Sequence, residues 1–178
     1  MTDKELITLC KNGNRLAQRD LFNKFAPKMY VICLRYARHR LEAEDIMQDA
    51  FIKVYKNLDQ FQFKGSFEGW IKRIMINTAL KNYNKSSFQK EQIGIHESYN
   101  ESTSAKAYSN LGQTELLNLV NELPNGYKLV FNLYAIEGFK HKEIAEVLNI
   151  DEGTSRSQLL KARKVLQQRI VELEKISL

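Results

Sequence analysis

The sequence predicts an all-α chain, built as two small helical domains joined by a flexible linker. Three observations predict it. Apolar residues recur at three- and four-residue steps, and no run alternates as a half-buried strand would. Only 8 glycines and 2 prolines punctuate 178 residues, too few for the turns of an all-β fold. From about Asn84 to Gly112 the pattern fails in a stretch rich in Ser, Asn, Gln, Glu and Tyr. At roughly 25 residues this exceeds the about 12–15 that a compact domain accommodates in a loop. It predicts a mobile linker over 85–112, between domains at 1–84 and 113–178.

The elements follow in order. Thr2-Asp3-Lys4-Glu5 reads as a capping box that opens a helix to about Lys11. Asn12-Gly13-Asn14 breaks it, and Asn14 caps the next. That second helix carries Leu16, Leu21, Phe25, Met29, Ile32 and Tyr36 as a stripe, with a kink or break expected at Pro27. A third places Ile46, Ala50, Val54 and Leu58 on one face and Glu42, Glu44, Asp45, Gln48 and Asp49 on the opposite edge. Asp59 to Gly65 reads as a loop. Ser66 then opens a helix with Trp70, Ile71, Ile74, Met75, Thr78 and Ala79 inward. Beyond the linker, one helix around Leu116–Leu123 ends at Pro124, and another around Val130–Ile136 ends near Gly138. Two more flank Asn149-Ile150-Asp151-Glu152-Gly153.

Composition excludes several classes. The longest apolar run is Met29 to Leu34, whereas a membrane-spanning helix needs about 20 residues. No apolar signal core follows Met1, and Cys10 and Cys33 form neither a disulfide framework nor a CxxC site. A cytoplasmic chain without membrane insertion is the expectation. His39, His96 and His141 are scattered without metal-ligand spacing, and no phosphate loop or nucleophile elbow appears. No catalytic residue, metal site or cofactor is therefore expected.

The net charge of +6 matters less than its placement. Lys24, Lys28, Arg35, Arg38 and Arg40 precede an acidic segment with Glu42, Glu44, Asp45, Asp49 and Asp59. Lys64, Lys72, Arg73, Lys81, Lys85 and Lys90 then surround Glu68 alone. Arg156, Lys161, Arg163, Lys164 and Arg169 form an acid-free run. Alternation of this kind suggests separate surfaces for separate partners, against the plainer alternative that helices simply carry solvated charge.

His141–Leu148, a turn at Asn149–Gly153 and a helix capped by Thr154 read as a helix-turn-helix. Ala145 is small where the helices cross. Asn149 tolerates the left-handed turn position, and Ile144, Leu148, Ile150, Leu159 and Leu160 supply the shared core. The second helix offers Thr154, Ser155, Arg156, Ser157 and Gln158 to base edges and phosphates, extended by Lys161 and Arg163. An ordinary αα-hairpin is the competing explanation. In the first domain Phe61, Phe63, Phe67, Trp70, Tyr83 and Phe88 interleave with lysines and arginines. Such aromatics either stack on unpaired bases or fill the core, and Trp70, beside Ile71 and Ile74, favours the core.

With these residues in view, the chain resembles the extracytoplasmic-function (ECF) subfamily of sigma-70 factors. Glu44-Asp45-Ile46-Met47-Gln48-Asp49-Ala50-Phe51, with Phe67 and Trp70 to Ile74 and Asn77, is similar to that family's region two. Lys142 to Leu148 with Asp151 to Arg163 is similar to its region four. The resemblance implies a promoter-specificity subunit that binds bacterial core RNA polymerase through the β′ and β subunits and performs no catalysis itself. It implies that Asp45, Gln48 and Asp49 dock on the β′ coiled coil. It further implies that Lys72, Arg73, Asn77, Lys81 and Asn82 melt and read the −10 element, with a flipped base near Asn77. Thr154, Ser155, Arg156, Ser157, Gln158, Lys161 and Arg163 would read the −35 element. An anti-sigma factor is the implied repressing partner. Asn149, Ser155 and Gln158 depart from the family pattern, where Gly, Val and a basic residue are usual.

The alternative function is a stand-alone helix-turn-helix transcriptional regulator with an N-terminal helical sensing domain. It accounts for 113–178 equally well but leaves the acidic helix and the aromatic-basic loop unexplained. Duplex binding without polymerase separates the two.

Overall fold

The computed structural model describes the backbone of residues 2–93 and 111–176. Side chains are described for 2–85, 115–173 and 175. Among these residues all regular structure is helical. The chain divides into two compact units, Met1–Ser86 and Ser87–Leu178.

The first unit opens with α1, Asp3–Lys11, through the capping box: the Thr2 N–H donates to Glu5 Oε2 at 2.7 Å, and the Glu5 N–H to Thr2 Oγ1 at 3.3 Å. Gly13 takes a φ of +76° to turn the chain, and Asn14 Oδ1 caps α2 by accepting from the Ala17 N–H. α2 runs unbroken over Arg15–Tyr36, with Pro27 inside it. Of the kink or break expected at Pro27, the break does not occur. Leu21, Phe25, Met29, Ile32, Cys33 and Tyr36 are all buried on its inner face, and that burial outweighs the about 3 kcal/mol cost of an interior proline. Leu16, expected on the stripe, is exposed; Ala17 takes the inner position.

α3, Arg40–Lys56, packs on α2 and buries Ala43, Ile46, Ala50, Phe51 and Val54. A 3-10 turn at Leu58–Gln60 leads to a loop, then to α4, Phe67–Ile93. Phe67, Ile71, Met75, Ile76, Thr78, Ala79 and Leu80 are buried among its described side chains, while Trp70 and Ile74 are half-buried. α4 continues past Asn84, where the apolar pattern stops. Lys, Gln and Glu are adequate helix formers without a buried face, and the first breaker is Gly94. Of the expected linker, 85–93 is thus helical, while 94–110 lies outside the described residues.

In the second unit α5 (Leu111–Asn121), α6 (Asn125–Phe131) and a π-turn at Asn132–Ile136 precede α7, His141–Leu148, and α8, Glu152–Ile176. Val120, Leu123, Ala162 and Leu166 form a core cluster with Leu119, Tyr127, Phe131 and Val165 against it. Leu129, Leu133 and Ile144 are fully buried beside the helix-turn-helix.

The turn is as its chemistry requires. Asn149 sits at φ 54°, ψ 50°, in the left-handed region, and its N–H donates to the Ala145 carbonyl. Two local expectations fail. α8 starts at Glu152 rather than being capped by Thr154, because Asp151 and Glu152 place negative charge at the helix N-terminus, where the dipole favours it. Leu160 is 70% exposed and is no part of the core.

Candidate polymerase and promoter surfaces

α3 brings the first predicted set together. At about 100° per residue, Leu41, Asp45, Gln48, Asp49, Ile52 and Lys56 fall within one arc of roughly 100°, and all are exposed. The neighbouring acids are used internally. Glu42 is buried; its carboxylate accepts from the Arg38 backbone N–H at 2.6 Å, from Nε at 3.1 and 3.2 Å, and from Nη2 at 3.0 Å. Burial pushes its pKa up, but the hydrogen bonds and charge of Arg38 outweigh that and hold it below the ordinary value. Glu44 accepts from Arg40 Nε at 3.1 Å. Asp45 and Asp49 have no such partner among the described residues and carry the outward charge. His39 caps the helix, its Nδ1 accepting from the Glu42 N–H at 3.2 Å. Leu41 and Ile52, 69% and 52% exposed, were absent from the predicted set. Their signal was available in the same spacing, which sets both on the polar arc.

α4 gathers part of the second set. Arg73, Asn77 and Lys81 step by four along one exposed stripe, about 12 Å long at 1.5 Å per residue. Lys72 and Asn82 are half-buried and each lies about 100° beyond an edge of that stripe. The helix is tied to α3 by Lys53 Nζ, which donates to the buried Thr78 hydroxyl at 3.0 Å.

The aromatics divide. Phe61 and Phe67 are core, with ring centroids 4.9 Å apart, and Trp70 stacks on Phe67 at 5.6 Å. Phe63 is 41% exposed and holds φ at +58°, a strained position for a bulky residue. The ammonium groups of Lys4 and Lys11 lie 5.8 and 5.2 Å from its ring centroid. A cleft of about 520 Å³ opens here, lined by Lys4, Lys24, Phe25, Lys28, Phe63 and Phe67 among others. Asp3 and Glu68 pair with Lys24 and Lys28. Tyr83 is half-buried, and the side chain of Phe88 lies outside the described residues.

On α8 the third set splits by depth. Arg156, Ser157, Lys161 and Arg163 are exposed, and Thr154 and Gln158 are half-buried. Ser155 is fully buried, so its assignment as a surface reader is corrected. Its Oγ lies 2.9 Å from His141 Nδ1 and joins α8 to the start of α7. A small polar residue suits an interior site only when so bonded. Gln158 turns toward α6, where a Cβ on Gly126 would stand 3.2 Å from its amide nitrogen. Ser157 donates its hydroxyl to the Thr154 carbonyl at 3.0 Å. Arg156 pairs with Glu152 one turn back. Leu160 stands in the middle of the exposed arc, where an apolar side chain can meet a thymine methyl.

Among the described residues no cluster of His, Cys, Asp or Glu could hold a metal ion. None of the described helices is long and apolar enough to cross a membrane. Burial pushes the Cys33 thiol up to about 12, so it stays protonated and inert as a packing residue.

A helical unit with an outward acidic face, together with a helix-turn-helix unit whose second helix carries exposed cations, is the pattern of a DNA-binding helical protein with a separate protein-facing surface. Comparison with known proteins makes this specific. The sigma-70 region 2 profile matches residues 21–88, and the sigma-70 region 4 profile residues 113–166. The chain is 26% identical to the ECF RNA polymerase sigma-E factor of Haemophilus influenzae, covering 97% of each. It is 28% identical to the ECF RNA polymerase sigma factor SigW of Bacillus subtilis, covering 97% of this chain and 99% of that one. In fold it is similar to the sigma factor RpoE of Bartonella quintana, solved with the anti-sigma factor NepR. There the TM-score is 0.52 at 19% identity, over 84% of this chain and 94% of that one. It is also similar to CnrH, solved with the cytosolic domain of CnrY, with a TM-score of 0.50 at 19% identity over 96% and 97%. The chain belongs to the ECF subfamily of the sigma-70 family, whose members direct bacterial RNA polymerase to promoters.

Proposed function

We propose a division of labour among these surfaces. Asp45, Gln48 and Asp49 on α3 bind the β′ subunit of core polymerase, with Leu41 and Ile52 as apolar anchors at the same face. Arg73, Asn77 and Lys81 contact the −10 element as it melts, with Lys72 and Asn82 at the margins, and the exposed Phe63 of the preceding loop offers a stacking surface. Arg156, Ser157, Lys161 and Arg163, with Thr154 at the helix start, contact the −35 element in the major groove. The region-two domain takes 1–84, the linker 85–112 and the region-four domain 113–178. The chain itself catalyses nothing, because nucleotidyl transfer belongs to the polymerase, and it works in the cytoplasm. An anti-sigma factor that covers the polymerase-binding surfaces is its proposed repressor, by analogy with the complex of RpoE with the anti-sigma factor NepR.

The observation that carries this reading is the sorting of charge. The two acids on α3 that lack internal partners share one outward face, while exposed cations line α4 and α8. One arc then suits a basic helix of a protein, and the other two suit nucleic acid.

The test is reconstitution. The purified chain is mixed with bacterial core polymerase, the complex is isolated by size exclusion, and transcription is assayed on pooled genomic DNA. A stable complex with discrete start sites is expected. Absence of a complex, with tight duplex binding by the free chain, would instead support a stand-alone regulator.

A further inference from the structure

The arginines of α8 are held in different ways. Arg156 is paired with Glu152, and Arg169 donates to Glu122 at 2.7 Å. Arg163 has no carboxylate partner among the described residues; its guanidinium lies 5.7 Å from the ring centroid of Tyr134. Tyr134 comes from the π-turn, and its ring stacks on His141 with centroids 4.6 Å apart and an interplanar angle of 21°. His141 is in turn tied to the buried Ser155 of α8. A continuous chain of contacts thus runs from the interior of the helix-turn-helix to one surface arginine.

We infer that Tyr134 is a positioning residue, holding Arg163 ready for a backbone phosphate beside the −35 element. An acid that holds an arginine occupies its N–H donors and competes with phosphate for them. An aromatic ring holds the guanidinium through its flat face and leaves its five N–H donors directed outward. The position favours a phosphate over a base edge. Leu160 centres the exposed arc of α8, and Arg163 lies about 60° to one side of it, so it flanks the groove. Pre-orientation reduces the side-chain entropy lost when the contact forms. This inference rests on the proposed −35 contact of α8.

The test uses holoenzyme reconstituted from the full chain and core polymerase, on a duplex promoter fragment from the mapped start sites. Affinity is measured across salt concentrations for wild type, Arg163→Ala, Tyr134→Phe, Tyr134→Ala and the Tyr134→Ala/Arg163→Ala double variant. Arg163→Ala should reduce the salt slope by about 0.9, the loss of one phosphate contact. Tyr134→Ala should weaken binding about threefold, Tyr134→Phe should retain most of it, and the double variant should match Arg163→Ala alone. Tyr134 is 36% exposed, so the melting temperature should hold in each variant. An unchanged salt slope in Arg163→Ala would remove Arg163 from the DNA contacts and take the inference with it. A normal Arg163→Ala loss with an additive Tyr134→Ala effect would leave the DNA contact standing and overturn the positioning role.

Discussion

Glu42 offers the sharpest test of the first unit, because its carboxylate is buried on the helix proposed to dock on polymerase. Glu42→Gln keeps the shape and removes the charge. It also turns one acceptor oxygen into a donor that faces the Arg38 donors at 2.6 to 3.2 Å. A charge-assisted hydrogen bond contributes about 1.5–3 kcal/mol. The Glu42 side chain is 10% exposed and that of Arg38 31%, so solvent screens part of this and a net loss of about 2 kcal/mol is expected. For a unit of this size that corresponds to a fall on the order of 10 °C in its melting temperature. The loss should depend on pH in a definite direction. Burial raises the Glu42 pKa, but Arg38 more than offsets it and the folded value lies below the ordinary 4.5. A depressed carboxylate stabilises the fold fully above the unfolded pKa, and that stability disappears as pH falls through the folded pKa. Thermal unfolding of the full chain, followed by circular dichroism from pH 7 to pH 3, should show a wide gap between wild type and variant that closes below about pH 4.5. A gap under about 0.5 kcal/mol at pH 7, or one that stays constant into acid, would refute the reasoning.

Asp45→Lys/Asp49→Lys should weaken core-polymerase binding at least about tenfold in a competition assay, while melting of the free chain changes little because both positions are exposed. Asn149→Val should cost about 1–2 kcal/mol and Asn149→Gly nothing or a slight gain; chemical denaturation of the full chain distinguishes them, and equal stability would mean that the left-handed turn is not sampled. Ser155→Ala should lower stability by about 1 kcal/mol through loss of the His141 contact, and promoter selectivity should be retained; altered base preference would restore Ser155 to the DNA face. Leu160→Ala should leave stability within about 0.5 kcal/mol but change base preference in a −35 selection experiment, whereas a large loss of stability would return Leu160 to the core.

Periodicity and caps made most of the fold legible. Thr2 with Glu5, Asn14 and Asn149 each work locally, through a side chain or a dihedral preference written at that position, and each is found where the residues indicate. Failures arose where tertiary packing decides. Pro27 breaks an isolated helix, yet the buried face of α2 carries it. Asn84 ends the apolar stripe but not the helix, because loss of apolar periodicity is not a stop signal. Ser155 and Leu160 look interchangeable with their neighbours in a short polar-apolar run. A start at Glu152 rather than Thr154 sets the phase of α8, which turns the serine inward and the leucine outward.

Charge was legible in the sequence segment by segment, and partners respond to what remains after internal pairing. The acidic segment contains five acids, but Glu42 and Glu44 are engaged by Arg38 and Arg40. What reaches the surface of α3 without an internal partner among the described residues is Asp45 and Asp49, one turn apart and beside two exposed aliphatic side chains. The same subtraction applies to α8, where Glu152 and Glu122 engage Arg156 and Arg169. Exposed pairs of this kind are worth about 0–1 kcal/mol, so a phosphate can displace Glu152 from Arg156 at little cost. A buried, multiply bonded pair such as Arg38–Glu42 will not exchange, because breaking it strands a charge inside the fold. The first kind of pair therefore keeps an arginine available for the proposed DNA contact, and the second fixes the entry into α3.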